Sequence, residues 1–350
     1  MTASGGEAEA PDQGAAGRLA RRLGLALLLL LLALLALEAV ARWTPLGRKI
    51  YYQPPVHVGE RENRESPNFV PDPLTGWRMR PEAEFTWTTE GRDIRYLADE
   101  EGFRTGGPGQ TRERTAEERL IVLVGDSHTW GWGLHWEETA GARLEAALEG
   151  TRVVTRAMPG FGVDQMWMSL RHWALPLEPD LVVVCFGGFN LERCFTAYRV
   201  AEGFNKPRFG VREGELVRLT AADRPGSLMR YLENHSRLHA LGWQTQRVIG
   251  KQHGVGPWWE LSEALLDAIR ADADAAGVPL LFLYLPLHGG GEVAALEDYM
   301  ARHEQHLRWV ESEGPERLYF ERDGHLDPAG HRAYNEVVLR WLEETALWAR

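Results

Sequence analysis

A serine follows directly after an aliphatic run at residues 121–131, and its position suggests nucleophilic chemistry. Residues 121–124 read Ile-Val-Leu-Val, and Gly125, Asp126 and Ser127 come next. A buried parallel strand reads as a near-continuous aliphatic run, and ligands of open α/β sheets bind beyond the carboxyl ends of the strands. The sequence therefore predicts that Ser127 lies at the mouth of a site.

A serine nucleophile needs a base, a group that orients the base, and donors for the oxyanion that forms on attack. Residues of these types follow three other apolar segments: Gly160, Asn190, and His325 with Asp323 two residues before it. Each also has a purely structural interpretation, as a turn, a loop cap and a residue near the start of a helix. Their occurrence at successive predicted strand ends favours a single site.

The elements that would position these residues lie within residues 119–346, where short apolar segments alternate with helical patterns. The predicted strands are 120–124, 151–158, 181–186, 279–285 and 318–320. The predicted helices are 137–148, 164–173, 261–276, one that begins at about 293, and 331–341. This alternation predicts an α/β domain with a doubly wound, five-stranded parallel sheet. Residues 191–259 have no strong period and are predicted to form an insertion.

Three segments precede this domain. Residues 1–22 offer little apolar surface and are expected to be a disordered cytoplasmic tail. Residues 23–43 are almost entirely apolar, and about twenty helical residues cover roughly 30 Å, enough to cross a bilayer. Residues 44–118 are rich in Pro, Gly, Arg and Glu with short alternating pieces, and are expected to form a small β-rich lead-in.

The charges around the apolar segment predict its orientation. Arg18, Arg21 and Arg22 precede it and favour a cytoplasmic N-terminus. We therefore expect a single-pass protein of the cell membrane whose catalytic domain is extracytoplasmic. The alternative is a cleaved signal peptide and a secreted protein, because residues 39–41 read Ala-Val-Ala, the small-x-small form of a cleavage site.

Composition argues against several other classes. The net charge of −11 without a long basic run makes nucleic acid an unexpected partner. Cys185 and Cys194 are too few for a disulfide scaffold or a zinc site. Cys185 is predicted to be a core residue, with a disulfide to Cys194 as the alternative. His303 and His306 are predicted to lie on a solvated helix face, so no metal is expected.

The four candidate segments together resemble a known family. Gly125-Asp126-Ser127, Gly160, Gly188-Phe189-Asn190 and Asp323-Gly324-His325 are similar to the blocks of the SGNH hydrolases, also called the GDSL lipase/esterase family. Residues 69–78 and 101–104 resemble the lead-in of membrane-anchored bacterial members, and the resemblance covers about residues 66–345. It implies a three-layer α/β/α, flavodoxin-like fold, an acyl-enzyme, and no metal or cofactor.

The resemblance also implies a role for each site residue. Ser127 is expected to be the nucleophile, His325 the general base and Asp323 the orienting acid. The oxyanion would be bound by the backbone N–H groups of Ser127 and Gly160 and by the side chain of Asn190.

The chain departs from the family pattern at three positions. The acid commonly stands three residues before the histidine, where this chain has Arg322, so Glu321 remains an alternative to Asp323. Leu191 replaces the usual aspartate after the third-block asparagine, and Thr155 replaces an asparagine often found before the second-block glycine. These departures affect supporting residues rather than the nucleophile or base.

These observations predict an extracytoplasmic serine esterase acting on a small-molecule ester or on an acylated surface glycan or lipid. One alternative is an O-acyltransferase that passes the acyl group to a cell-surface polysaccharide. A second is a non-catalytic binding protein of the cell envelope. Trp130, Trp132 and Trp136 follow the serine and could stack on sugar rings, although core packing explains such residues as well.

Overall fold

The computed structural model describes residues 13–44, 54–107, 114–115, 117–286, 294–303, 307–311 and 317–348. They fall into two units. The smaller unit comprises Met1–Pro54 and Gly226–Thr245, and the larger unit comprises Pro55–Pro225 and Gln246–Arg350.

The described helices are, in chain order, α1 (Gln13–Trp43), α2 (Ser127–Trp130), α3 (Ala140–Ala147), α4 (Val163–Ser169), α5 (Gly188–Glu192), α6 (Ser227–His235), α7 (Arg237–His253), α8 (Pro257–Ala276), α9 (Ala294–Arg302) and α10 (Pro328–Thr345). The described strands are β1 (Phe69–Asp72), β2 (Gly76–Met79), β3 (Glu84–Thr89), β4 (Arg92–Ala98), β5 (Arg104–Thr105), β6 (Arg119–Val124), β7 (Thr151–Thr155), β8 (Leu181–Phe186), β9 (Tyr198–Arg199), β10 (Phe204–Asn205), β11 (Phe209–Arg212), β12 (Glu215–Arg218), β13 (Leu280–Tyr284) and β14 (Leu307–Trp309).

A five-stranded sheet in the order β14-β13-β8-β6-β7 organises the larger unit. Every neighbouring pair in it is parallel. The predicted α/β fold with a five-stranded parallel sheet is confirmed. Counted along the chain, the strand order is 2-1-3-4-5, as in flavodoxin-like folds. The order reverses between β6 and β8, so the residues after β6 lie at the crevice where such sheets bind ligands.

The fifth strand is not where the sequence predicted it. The sheet ends in β14, whereas Tyr319, from the predicted strand 318–320, makes an isolated antiparallel bridge with Leu326. The prediction was wrong because β14 has only three residues, all of them partly exposed. An edge strand this short needs no aliphatic run, so hydrophobic pattern does not distinguish it from a loop.

Short strands also occur in the lead-in, as the alternating pieces indicated. β1 and β2 form a hairpin, and β3, β4 and β5 form an antiparallel sheet. Tyr96 of β4 stacks on Trp130 of α2, with ring centroids 4.4 Å apart. The lead-in therefore packs directly against the helix that begins with Ser127.

The smaller unit contains the long apolar helix. Gly17–Trp43 spans 27 residues and contains an 18-residue stretch with a mean hydropathy of 2.7, so the helix is long and apolar enough to cross a membrane. The expected disordered tail is contradicted for residues 13–22, which are helical, because Ala, Leu and Arg are good helix formers and continue the helix upstream. Residues 1–12 lie outside the described residues.

One hydrophobic core lies between the sheet and α3 and α10, and Cys185 is one of its members. Cys185 and Cys194 are both buried and unpaired, so the alternative of a disulfide is wrong. His303, the residue after α9, is partly exposed and lies beside Tyr299, and His306 lies outside the described residues. Among the described residues, no three potential metal ligands form a cluster.

Candidate active site

Ser127 begins α2 immediately beyond the end of β6. Asp126 caps the helix, and its Oδ1 accepts the N–H of His128 at 3.1 Å. A Cβ at Gly125 would collide with the Thr129 side chain and approach the backbone oxygen of Cys185, so only glycine permits this tight exit from the strand. The turn presents Ser127, itself largely buried, at the carboxyl edge of the sheet.

His325 reaches Ser127 although the two are 198 residues apart in the chain. Its Nε2 lies 2.8 Å from Ser127 Oγ. The loop that carries it is closed at its base by a hydrogen bond from Phe320 N to His325 O, 2.8 Å long. Asp327 then caps α10 by accepting from the N–H groups of Ala329 and Gly330. The nucleophile and base expected from the sequence are therefore within hydrogen-bond distance.

Of the two carboxylates left open by the sequence, Asp323 lies against His325. Its Oδ1 is 3.4 Å from His325 Nδ1, an ion-pair contact longer than a good hydrogen bond, and it accepts the backbone N–H of His325 at 2.9 Å. Glu321 is 81% exposed and its carboxylate faces Arg317 at 3.8 Å. Burial raises the pKa of Asp323, but hydrogen bonds from His325 and Trp132 outweigh burial and hold that pKa below its usual value.

Gly160 and Asn190, the two residues expected beside Ser127 in an oxyanion hole, both lie against other groups of the chain. Gly160 has a φ of 84°, which glycine adopts without strain, and the Glu202 side chain lies against its Cα. Asn190 is fully buried, and its Nδ2 donates to Asp126 Oδ2 at 2.9 Å and to Phe161 O at 2.8 Å. Both hydrogens of the amide are thus engaged in this arrangement.

A family model decides the relationship. The GDSL-like lipase/acylhydrolase model matches residues 123–333, more than half of the chain and all four site segments. The chain belongs to this family. Membership makes it a serine hydrolase that acts on ester bonds. No curated protein matches the sequence.

Several solved structures resemble the chain, but only distantly. The crystal structure of TesA is 18% identical, covers 65% of this chain and 99% of that chain, and gives a TM-score of 0.39. The lipase/acylhydrolase from Enterococcus faecalis is 15% identical over 65% and 96%, with a TM-score of 0.36. The psychrotrophic esterase EstA from Pseudoalteromonas sp. is 13% identical over 65% and 100%, with a TM-score of 0.38.

His128 is a supporting residue of this GDSL-like hydrolase that the sequence did not single out. Its buried Nδ1 accepts the backbone N–H of Leu326 at 3.3 Å, which puts the proton of the neutral ring on Nε2. Burial lowers the pKa of His128 to about 4, so the ring is neutral at neutral pH. Because Leu326 follows His325, this bond ties the loop that carries His325 to the helix that begins with Ser127.

Asp126 is the centre of a second supporting group. It is completely buried, and its Oδ2 accepts from Arg193 Nη1 at 2.7 Å as well as from Asn190. Burial raises the pKa of Asp126, but neighbouring His128 and Arg193 and the hydrogen bonds it accepts bring that pKa below its usual value. The carboxylate holds Asn190 and Arg193, both on the segment after β8, close to the serine turn.

Trp132 connects the acid to the lead-in. Its Nε1 donates to Asp323 Oδ2 at 3.0 Å, and its ring stacks on His325. Trp87 of β3 packs edge-on against Trp132 with centroids 4.8 Å apart, and Glu90 accepts the N–H of Arg322 at 3.3 Å. Closeness to Ser127 in the sequence was the one available signal for Trp132. Nothing in the sequence linked Trp87 or Glu90 to the site.

Proposed function

We propose that this hydrolase cleaves its ester through an acyl-enzyme formed on Ser127. The observation that carries the proposal is the 2.8 Å contact between Ser127 Oγ and His325 Nε2. It is the geometry a histidine needs to take the hydroxyl proton as the oxygen attacks the ester carbonyl. The same contact argues against a purely binding role, for which no base beside the serine is required.

The reaction then follows from the arrangement of groups. His325 takes the Ser127 proton during attack and returns it to the departing alcohol, which leaves the acyl group on Ser127 Oγ. In the second half His325 takes a proton from water as the water attacks the acyl carbon, the bond to Ser127 Oγ breaks and releases the acid, and His325 returns the proton to Ser127 Oγ. Asp323 orients the ring of His325 and stabilises its positive charge, as the acid of a serine triad does.

Oxyanion stabilisation is assigned to the N–H groups of Ser127 and Gly160, with Asn190 as the third donor. Because both hydrogens of the Asn190 amide are engaged, its participation requires that the bond to Phe161 O or to Asp126 be exchanged for one to the oxyanion. In this proposal Arg193, which also donates to Asp126 and Phe161 O, satisfies those acceptors when Asn190 turns.

The enzyme is proposed to be anchored in the cell membrane with its catalytic unit outside the cytoplasm. The length and apolarity of Gly17–Trp43 support an anchor, and the arginines before Leu23 support this orientation. An extracytoplasmic site favours esters of surface glycans or lipids. Trp87, partly exposed and packed on Trp132, could contact a sugar ring, whereas Trp130 and Trp258 are buried in packing roles.

Hydrolysis of a short-chain nitrophenyl ester by the detergent-solubilised full chain tests the proposal. Ser127→Ala is expected to abolish turnover and labelling by a fluorophosphonate, while Ser227→Ala, a matched change at an exposed serine, leaves both unchanged. Activity that survives Ser127→Ala would exclude this nucleophile. If a glycan acceptor captures the acyl group faster than water does, the enzyme is an O-acyltransferase using the same acyl-enzyme.

A further inference from the structure

The end of α1 is joined to the junction of α6 and α7 by a set of hydrogen bonds within the smaller unit. The carboxylate of Glu38 accepts from Ser236 Oγ at 2.9 Å and from the backbone N–H groups of Arg237 and Leu238 at 2.8 and 3.0 Å. Arg42, one turn later, donates to the backbone oxygen of His235. Glu38 therefore caps the N-terminus of α7, where backbone N–H groups lack helical partners and a negative charge is stabilising.

α6 carries an apolar face that the smaller unit does not cover. None of its nine residues is buried. Leu228 is 74% exposed, Tyr231 61% and Met229 46%. Leu228 and Tyr231 are three apart and lie on one side of the helix, with Leu232 beside them. A helix of a soluble protein normally packs such a face against a core.

The place where α6 meets α1 indicates what covers this face. Glu38 stands five residues before Trp43, so the junction of α6 and α7 lies within about 8 Å of the end of the apolar helix, at the rise of about 1.5 Å per residue. At that level an anchor leaves the hydrocarbon core and meets the lipid headgroups. An amphipathic helix held there has its apolar side chains within reach of the acyl chains.

The charges of residues 226–245 and the hydrogen-bonded carboxylate of Glu38 both fit a location at a lipid surface. Residues 226–245 contain two arginines, Arg230 and Arg237, and one acidic residue, Glu233, although the whole chain has a net charge of −11. Cationic side chains beside an apolar face favour anionic headgroups. A carboxylate within a membrane helix is unfavourable unless it is paired with polar groups, and the N-terminus of α7 provides that pairing for Glu38.

We infer that α6 is an interfacial helix that inserts its apolar face into an anionic bilayer beside the anchor, positioned by the Glu38 cap. The occupant of the exposed face is the lipid surface itself. This inference rests on the proposed membrane anchoring of α1 and adds a second point of contact with lipid, contributed by the insertion.

Full-length protein in vesicles of phosphatidylcholine and phosphatidylglycerol tests the inference. A polarity-sensitive fluorophore is attached to Leu228→Cys on the apolar face, to Asn234→Cys on the polar side of the same helix, and to Leu30→Cys in the middle of α1. The native thiols of Cys185 and Cys194 are buried and do not compete for the label. Retained ester hydrolysis shows that each variant is folded.

Lipids brominated on their acyl chains are expected to quench the labels at residues 30 and 228. The label at 228 should be quenched at least about threefold more than the label at 234, because an interfacial helix immerses only one face. Quenching at 30 alone overturns the inference and leaves the anchor intact. Quenching at neither 30 nor 228 overturns both. Energy transfer between labels at 228 on two copies, without lipid quenching, identifies a protein interface and overturns the lipid contact.

Discussion

Trp132 donates its indole N–H to Asp323 at 3.0 Å and stacks on His325 with ring centroids 5.5 Å apart. One side chain thus contacts both the proposed acid and the proposed base. Asp323 is only partly buried, and its Oδ1 accepts the backbone N–H of His325 at 2.9 Å, whereas the ring nitrogen Nδ1 lies 3.4 Å away. Trp132 holds the other oxygen, Oδ2, and we propose that it positions Asp323 against the ring of His325.

Trp132→Phe retains an aromatic ring over His325 but removes the hydrogen bond to Asp323. We expect kcat to fall roughly fivefold to tenfold, which corresponds to about 1 to 1.4 kcal/mol, the net contribution of an ordinary hydrogen bond. The pKa of Asp323, held low in part by this bond, should rise toward its usual value. The part of the kcat/KM profile at low pH that depends on ionised Asp323 should therefore move to higher pH.

The matched control is Trp167→Phe, because Trp167 donates its Nε1 to Asp272 at 2.8 Å and the change removes the same type of bond elsewhere. It should lower stability by a comparable amount and leave the pH profile unaltered. A rise in KM without a change in kcat for Trp132→Phe would contradict the positioning role and indicate substrate contact instead.

The choice between the two carboxylates before His325 leads to a second prediction. Asp323→Asn removes the charge beside His325 and should lower kcat by roughly 10²-fold, within the range of general acid–base contributions. Glu321→Gln changes an exposed residue paired with Arg317 and should leave kcat within about twofold, since exposed pairs contribute little. Steady-state kinetics on both variants distinguishes the assignments, and the reverse pattern would make Glu321 the acid.

His128 predicts how stability depends on pH. Its pKa in the folded protein is about 4 against an ordinary value of 6.5, because burial disfavours the charged ring. As pH falls below 6.5, His128 is protonated in the unfolded chain but not in the native protein. The free energy of unfolding therefore decreases between pH 6.5 and about 4. The loss from this group approaches about 3 kcal/mol.

His128→Asn keeps an acceptor near the N–H of Leu326 and removes the titration. Denaturant unfolding followed by tryptophan fluorescence should show a smaller decrease in the free energy of unfolding from pH 7 to pH 4 than in the original protein. Contributions of other groups, such as His331, whose pKa burial also lowers, cancel in the comparison. Identical pH dependence in the two proteins would show that His128 is not buried in neutral form.

The position of Ser127 could be anticipated from the sequence because the carboxyl ends of parallel strands lie at one edge of the sheet. His325 was expected there because it follows residues 318–320, but these residues form no strand of that sheet. The aliphatic runs that became β6 and β8 are fully or almost fully buried, and burial on both faces is what makes such strands readable. Half-buried β14 gave no such signal. The sequence did not indicate α6 either. Its apolar residues do not pack in a core, and the residues around it show no regular hydrophobic spacing.

The hydrogen bonds of Asn190 could not be anticipated. Asn190 was identified by its place after a strand, yet its donors go to Asp126 and Phe161, whose positions depend on the packing of three loops. Trp132 and His128 likewise act through partners almost 200 residues away. Sequence patterns report which face of an element is buried, whereas competition among buried polar groups is decided by tertiary contacts.

The Glu38 cap gives a final prediction. Glu38→Ala leaves the N–H groups of Arg237 and Leu238 without this acceptor and should destabilise the start of α7 by about 1 kcal/mol, the usual effect of losing an N-cap. Hydrogen exchange at these amides should accelerate about fivefold. Glu38→Gln retains an acceptor oxygen and should preserve most of the protection.

The same experiment addresses cleavage. Removal of the N-terminal helix after residues 39–41 would take Glu38 with it, so a cleaved protein should exchange at Arg237 and Leu238 as Glu38→Ala does. Protection of these amides in the protein isolated from membranes, together with an intact N-terminus by mass spectrometry, is the result expected for an anchor. Equal exchange in the original protein and in Glu38→Ala would show that Glu38 does not cap α7.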